Sequence, residues 1–202
     1  MKKFPSLIVV LCSVFTLTGC GAQNDSFEVP ASVSESLEDK ISAIDEEETY
    51  PPVPATLAVV YNNVDEIVAD ADVIVKAAVK EQSVEMLDGY PQTHTIVEVL
   101  NVLKGDAAEG DLLEVVEEGG YDGKVVCGLP QLSDENDYYL MLIKYNGFYY
   151  VCGAFQGRFV EREGYVFQQA VEDVKLSHSY SPATSESFES LIGEALSAEE
   201  LS

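Results

Sequence analysis

Apolar and polar residues alternate over several short segments that are separated by turn residues. The clearest alternation runs from Thr93 to Leu103, where one set of side chains contains Thr95, Val97 and Val99. A second segment, Val73–Val79, is rich in β-branched residues, which strands favour. Alternation with a period of two residues is typical of half-buried strands. The pattern therefore predicts a mainly β protein.

Five more segments are predicted to be strands on the same grounds. They are 111–117, 138–145, 148–152, 158–161 and 165–169. Asn146-Gly147 is a strong hairpin signal between two of them, because both residues tolerate the positive φ of a tight turn. Glu163-Gly164 marks another hairpin. Leu57–Tyr61 fits either an edge strand or the lead into a helix.

Short helices are predicted at both ends of this β region. Asn62 or Asn63 can cap a helix over Val64–Ala69. Ser185 or Ser187 can cap a final helix, whose apolar face is formed by residues at helical spacing. These residues are Phe188, Leu191, Ile192, Ala195 and Leu196. Seven short strands with terminal helices favour a closed or partly open β-barrel over an alternating βαβ fold.

The first 19 residues have the pattern of a secretory signal peptide. Lys2 and Lys3 precede an apolar stretch, Ser6–Leu17. About 20 residues are needed to span a bilayer as a helix, so this stretch is too short. We expect residues 1–19 to be removed on export.

The end of this leader, Leu17-Thr18-Gly19-Cys20, resembles the lipobox of bacterial lipoproteins. The resemblance implies cleavage between Gly19 and Cys20 and a diacylglyceryl thioether on Cys20. N-acylation of Cys20 (palmitate, for example) is left open. Two acyl chains anchor a protein stably. The implied location is the extracytoplasmic face of a cell membrane, of the Gram-positive type. The alternative is an ordinary secretory signal with a chance cysteine.

Residues 20–54 read as a tether between this anchor and a domain at 55–200. Prolines punctuate the tether, and Asp45-Glu46-Glu47-Glu48 is a run of acids that repel one another. Ser34–Ile44 has apolar residues at helical spacing, so an amphipathic helix is an alternative. The flanking prolines and acids favour disorder.

The charge balance is strongly acidic. The chain has 11 Lys and Arg residues against 36 Asp and Glu, a formal net charge of −25. Such a surface is repelled by nucleic-acid phosphates and by anionic lipids, so nucleic-acid binding is excluded. Cationic partners or divalent ions would be attracted, although a surface kept soluble by charge is the favoured interpretation.

Four short motifs of the domain resemble the N-terminal domain of the tissue inhibitors of metalloproteinases. They are Ala71–Ala77, Val97–Gly105, Val126-Cys127-Gly128 and Tyr138-Tyr139-Leu140. The resemblance covers roughly residues 70–160 and implies an OB-type, netrin-like barrel. Those inhibitors use a free N-terminal cysteine against the target's zinc. Because Cys20 is expected to be lipidated, that mechanism is not carried over to this chain.

Cys127 and Cys152 are the cysteines that remain in the domain. An exported location permits a disulfide between them. Two buried thiols or a reactive pair are the alternatives. No CxxC or histidine cluster accompanies them, so a metal site is not expected.

Other candidate residues favour structural roles. His94 and His178 lie in no metal-binding motif, and Asp134-Glu135-Asn136-Asp137 lacks the spacing of a calcium loop, which favours a solvated turn. Gly119–Lys124 lacks the frame of a phosphate-binding loop. The aromatics between 138 and 167 divide between the core and a conceivable binding face: Tyr138, Tyr139, Tyr145, Phe148, Tyr149, Tyr150, Phe155, Tyr165 and Phe167.

These observations predict a lipid-anchored, extracytoplasmic binding module that carries no cofactor; its ligand is not identified by the sequence, and a protein or peptide is one candidate partner. We expect no enzymatic activity, because no nucleophile motif or carboxylate pair with a perturbing context is present. The alternatives are a protease-inhibitor-like module and a redox or hydrolytic enzyme that uses Cys127 and Cys152.

Overall fold

The protein is represented by a computed structural model, which describes residues 41, 59–88, 90–120, 131–170, 175–176 and 180–199. Within these ranges, the helices that flank the sheet are α1 (Val64–Asp70) and α2 (Ser185–Glu199). The strands are β1 (Val73–Leu87), β2 (Tyr90–Lys104), β3 (Leu112–Glu118), β4 (Asp137–Tyr145), β5 (Phe148–Val151), β6 (Arg158–Arg162), β7 (Tyr165–Gln168) and β8 (Ala183–Thr184). The prediction of a mainly β fold is confirmed.

The strands form one eight-stranded sheet that curls into a partial ring. Its order is β1-β2-β3-β5-β4-β6-β7-β8, and β1 pairs with β4 as well as with β2. All the pairings are antiparallel except the one between β3 and β5, which runs through Val115 and Tyr149. The strands β6, β7 and β8 extend the sheet away from the ring.

The first hairpin is longer than the sequence pattern predicts. β1 continues to Leu87 instead of ending at Val79, and β2 begins at Tyr90. The added residues, Lys80–Leu87, mix polar and apolar side chains that alternate in direction, and after a register shift between Val79 and Glu81 they stay paired with β2. β8 is also unpredicted. Its two residues pair with Tyr165 and Val166, so it depends on β7 rather than on a signal of its own.

Two apolar clusters lie on opposite sides of the ring strands. The ring cluster draws residues from β1 to β5, among them Val75, Val97, Val99, Val115, Leu140 and Leu142. The helix cluster joins the helices to the other side of β1, β4, β6 and β7, among them Ile67, Ile74, Tyr139, Met141, Phe159 and Phe188. Burial of both clusters supplies the main driving force for folding.

The helix ends follow ordinary capping chemistry. The Asn63 side chain accepts a hydrogen bond of 2.9 Å from the Glu66 N–H, and the Glu66 carboxylate accepts from the Asn62 N–H at 2.8 Å. At α2, the Thr184 hydroxyl accepts from the Ser187 N–H at 3.2 Å, so the cap is one residue before Ser185. The predicted apolar face of α2 is confirmed, since Phe188, Ile192 and Ala195 are buried and Leu191 and Leu196 partly buried.

One residue before the domain is described. Ile41 is helical and partly buried against the ring cluster. It belongs to the 34–44 stretch, for which the sequence favours disorder over an amphipathic helix. The remainder of the expected tether lies outside the described residues, so the choice between disorder and an amphipathic helix over 34–44 stays a prediction.

Gly105 fixes the end of β2 against the start of β1. Its φ is +91°, and a Cβ there would lie 2.1 Å from the carbonyl oxygen of Asp72. The Asp72 carboxylate in turn accepts a hydrogen bond of 2.8 Å from the Lys144 N–H of β4. The start of β1 is therefore held on both sides.

Candidate functional site

β1 has neighbouring strands on both sides only along its first part. β4 pairs with Val73–Ala78, whereas β2 pairs with β1 as far as Leu87. From Lys80 to Leu87, no strand among the described residues pairs with the side of β1 that faces away from β2. We call this side the open edge. A strand edge with unpaired N–H and C=O groups can template the addition of another strand.

The open edge also exposes large apolar side chains. The exposed fraction is 43% for Val84, 59% for Met86 and 56% for Leu87. By contrast, Val73, Val75 and Ala77 in the first part of β1 are buried. Val84 and Met86 lie on one face of the strand and Leu87 lies on the other. Both faces of the end of β1 are therefore accessible.

Carboxylates dominate the charge of the open edge. Lys80 forms an ion pair with Glu98 of β2, so its charge is matched. Glu81, Glu85 and Asp88 are exposed and form no ion pair with another described residue. Opposite charges within a few ångströms attract even at the surface. The edge therefore favours cationic groups.

Hydrogen bonds anchor the exposed hairpin to the rest of the domain. The Gln82 amide donates to the Thr95 hydroxyl at 2.9 Å and to the Leu132 carbonyl at 2.7 Å. The Thr93 hydroxyl donates to the Gly119 carbonyl at 2.7 Å. Gly120, with φ of +100°, brings the backbone against Thr93 and Val84. A ligand would therefore meet a strand that is already ordered.

A buried ion pair lies behind this hairpin. The Arg158 guanidinium is 1% exposed and donates to the Glu117 carboxylate over 2.6 Å. The second carboxylate oxygen of Glu117 accepts from the Leu132 N–H at 3.2 Å. Neither residue stands out in the sequence, because nothing in a sequence distinguishes a buried arginine from a surface one. Their burial behind Leu132 indicates a structural role.

His94 lies on the outer face of β2, beside the ring cluster's strands. Its Nδ1 is 2.8 Å from a Glu114 carboxylate oxygen, and its ring meets Phe148 edge-on with centroids 5.7 Å apart. These partners hold the imidazole between β3 and β5. His178 lies outside the described residues. The two histidines thus stay predicted as structural.

Cys152 is a buried thiol at the end of β5. Burial raises the pKa of this thiol to about 12, and the nearby Asp70 and Asp72 carboxylates add to the effect. Burial likewise raises the pKa of the Tyr61 hydroxyl, and the neighbouring Cys152 thiol and Asp70 carboxylate raise it further. Cys127 lies outside the described residues, so the disulfide stays a prediction.

The acidic turn at 134–137 borders an open depression on the surface. Asp134, Asp137, Glu161 and Glu163 line it together with Arg162. The Lys76 Nζ lies 2.6 Å from a Glu161 carboxylate oxygen and 4.0 Å from an Asp137 carboxylate oxygen. Its positive charge therefore compensates part of the negative charge of the depression. Within the described ranges, no group of three or more His, Cys, Asp or Glu side chains has an arrangement that could hold a metal ion.

The aromatic residues divide between core and surface. Tyr138, Tyr139, Tyr149 and Phe167 are buried, while Tyr145 is 64% exposed. The rest of the predicted aromatic set is partly buried: Phe148, Tyr150, Phe155 and Tyr165. No continuous exposed aromatic face is assembled by these positions, and the larger exposed apolar group is the one on the open edge.

The residues of the expected lipid anchor, Gly19 and Cys20, lie outside the described residues, as do Tyr121–Lys124 of the glycine-containing loop. Among the helices that the structure describes, none is long and apolar enough to cross a membrane.

Comparison with known proteins gives no match. No family model, no curated protein and no solved structure is similar to this chain. The residues and contacts described above are therefore the basis for a functional proposal.

Proposed function

We propose that this protein is a lipid-anchored, extracytoplasmic binding module without enzymatic activity. The observation that carries the proposal is the open edge, an ordered strand that presents exposed apolar side chains and carboxylates together. Exposed apolar patches rimmed by polar residues mark sites of interaction with proteins, membranes or ligands. Cys20 would hold the module at the membrane through its acyl chains.

The strand order supports an OB-like form of the barrel. An OB barrel has five strands, arranged as a partly open Greek key. Here β1 lies between β2 and β4, and β3 lies beside β5, so five strands follow one another around the ring. The netrin-like resemblance of the sequence agrees with this proposal.

The thiol-enzyme alternative is disfavoured by the surroundings of Cys152. A catalytic cysteine is partly exposed and has a lowered pKa, since the thiolate is the nucleophile. Cys152 is buried, and its pKa is raised to about 12. A protease-inhibitor-like module remains the second candidate, because an inhibitor also acts by binding a protein partner.

The binding function is tested by photo-crosslinking at the surface of the native cell. A photoreactive residue replaces Met86 at the open edge, or Leu112 as the matched control. Met86 is 59% exposed and Leu112 65% exposed, and Leu112 lies on β3. We expect a discrete crosslinked species from position 86 alone. If neither position gives one, the binding proposal is wrong.

The anchor is tested by metabolic labelling with an alkyne fatty acid. Cys20→Ser should lose the label and keep its leader, which gel mobility reports. Cys12→Ser is the matched control, because this cysteine also lies in the N-terminal segment but precedes the proposed cleavage point. Normal processing and labelling of Cys20→Ser would contradict the anchor.

A further inference from the structure

We propose that the open edge binds an extended segment of a partner protein in which Lys or Arg alternates with aliphatic residues, and that this segment adds to the sheet as a strand beside β1. The inference rests on the proposed binding function and specifies the chemistry of the partner.

The outer part of β1 has main-chain N–H and C=O groups that point away from β2. In an antiparallel pair, successive residues direct their N–H and C=O groups alternately toward and away from the neighbouring strand. Along Lys80–Leu87, β2 satisfies one set, and no described strand satisfies the other. An added strand would satisfy the second set, and its main-chain hydrogen bonds would supply affinity.

The side chains specify the composition of the added strand. Gln82 and Val84 lie opposite Thr95 and Thr93, and Met86 follows on the same face. Glu81 and Glu85 lie on the other face. A partner strand whose residues alternate in the same way would place aliphatic groups beside Val84 and Met86. Its alternate cationic groups would lie beside the two carboxylates, and both kinds of cross-strand pair are favourable.

Charge argues against a second copy of this chain as the occupant. Each copy carries a formal net charge of −25, so two copies repel one another. An antiparallel pairing centred on Ser83 would also place Glu81 of one copy opposite Glu85 of the other, and like charges directly opposite destabilise a sheet. The same charge attracts a basic segment.

The test uses the mature, lipidated full chain in detergent micelles, with a fluorescent peptide in which Lys and Val alternate. Fluorescence anisotropy at low salt measures binding. A peptide of the same composition with its Lys residues in one block and its Val residues in another tests the alternation. A peptide in which Glu and Val alternate tests the charge. We expect binding of the first peptide alone.

The edge is tested with a pair of charge-reversed proteins. Glu81→Lys/Glu85→Lys should weaken binding of the alternating Lys-Val peptide at least about tenfold, because two attractions become repulsions. Glu109→Lys/Glu194→Lys changes the net charge equally at two exposed positions away from the edge and should bind like the wild type. Equal weakening by both pairs would show a non-specific charge effect and overturn the proposal.

Hydrogen exchange locates the bound strand. In the free protein, the outward amides between Lys80 and Leu87 should exchange fast, and the peptide should slow their exchange. Slow exchange in the free monomer, or a wild-type dimer formed through this edge, would show that another part of the chain or a second copy occupies it. Either result overturns the proposal.

Failure of this proposal is distinguishable from failure of the binding function. If the peptide does not bind while Met86 still gives a discrete crosslink at the cell surface, the function stands and the basic-strand partner is wrong. If the peptide binds in all the expected ways and no crosslink forms, the chemistry of the edge is supported and the cellular binding function is not.

Discussion

The two parts of β1 belong to one strand but have opposite surroundings. In the inner part, Val73–Val79, β2 and β4 lie on either side, and side chains from both faces enter the two apolar clusters. In the outer part, Lys80–Leu87, only β2 is paired among the described strands, and Val84, Met86 and Leu87 are exposed. Pairing with β2 alone is therefore enough to continue the strand beyond the point where β4 stops pairing with it.

The largest effect is expected behind the outer part, at the buried ion pair. Arg158→Met leaves the Glu117 carboxylate buried without its guanidinium and should lower the free energy of unfolding by about 3–5 kcal/mol. Arg158→Met/Glu117→Gln removes both charges and keeps an acceptor for the Leu132 N–H, so it should recover much of this loss. Urea titration measures the free energy of unfolding of the single and the double variant. A double variant no more stable than the single one would contradict the account.

The contrast between the buried inner part and the exposed outer part of β1 is tested by one substitution in each part. Val75 is 0% exposed and Val84 is 43% exposed. Val75→Ala removes two buried methyl groups and leaves a cavity, so it should cost about 2–3 kcal/mol. Val84→Ala should change stability by no more than about 0.5 kcal/mol. Equal losses of stability for the two variants in thermal or urea unfolding would show that the Val84 side chain is packed as tightly as that of Val75.

A smaller effect is expected where the outer part is anchored. Gln82→Ala removes the two hydrogen bonds to Thr95 and to the Leu132 carbonyl and should cost about 1 kcal/mol. Gln92→Ala, on the facing strand, is the matched control and should cost less than about 0.5 kcal/mol. Urea unfolding compares the two variants. If both are neutral, the outer hairpin is held by its backbone pairing alone.

The smallest effect near neutral pH concerns Cys152, which lies in the helix cluster near the inner part. Burial raises the pKa of its thiol from the ordinary value of 9.0 to about 12. Between these values the unfolded chain ionises first, so the stability of the reduced protein should fall as pH rises above 9. In Cys152→Ala this fall should be shallower. Identical slopes in denaturant titrations from pH 8 to 11 would contradict the assignment.

Much of the fold was predictable because local patterns agree with the final structure. β4, β5, β6 and β7 were predicted to within one residue at each end, since their turns carry strong signals such as Asn146-Gly147. The sequence does not predict the extension of β1, because most of its residues are polar and no continuous apolar run marks it. The alternation of Gln82, Val84 and Met86 with Glu81 and Glu85 was a usable signal, but it becomes persuasive only once β2 is seen beside it.

The candidate site was less predictable than the fold. Exposure of Val84, Met86 and Leu87 depends on where β4 begins, because its first residue, Asp137, pairs with Ala78 and leaves the rest of β1 beyond β4. Likewise, Arg158 and Glu117 are far apart in the chain and meet only because β6 and β3 approach the same interior. Sequence patterns report local periodicity, and contacts between distant segments leave no such periodicity.

Sequence patterns alone predict most of the strands and both terminal helices, and they give the strongly negative charge and the expectation of a lipid anchor at Cys20. These features depend on residue type and on spacing over a few positions, which the chain carries locally. The tertiary structure is needed to see that no other described strand pairs with the outer edge of the second half of β1, that Cys152 is buried, and that Arg158 pairs with Glu117. Each of these depends on which distant strand lies beside a residue, because burial and pairing are properties of the packed sheet.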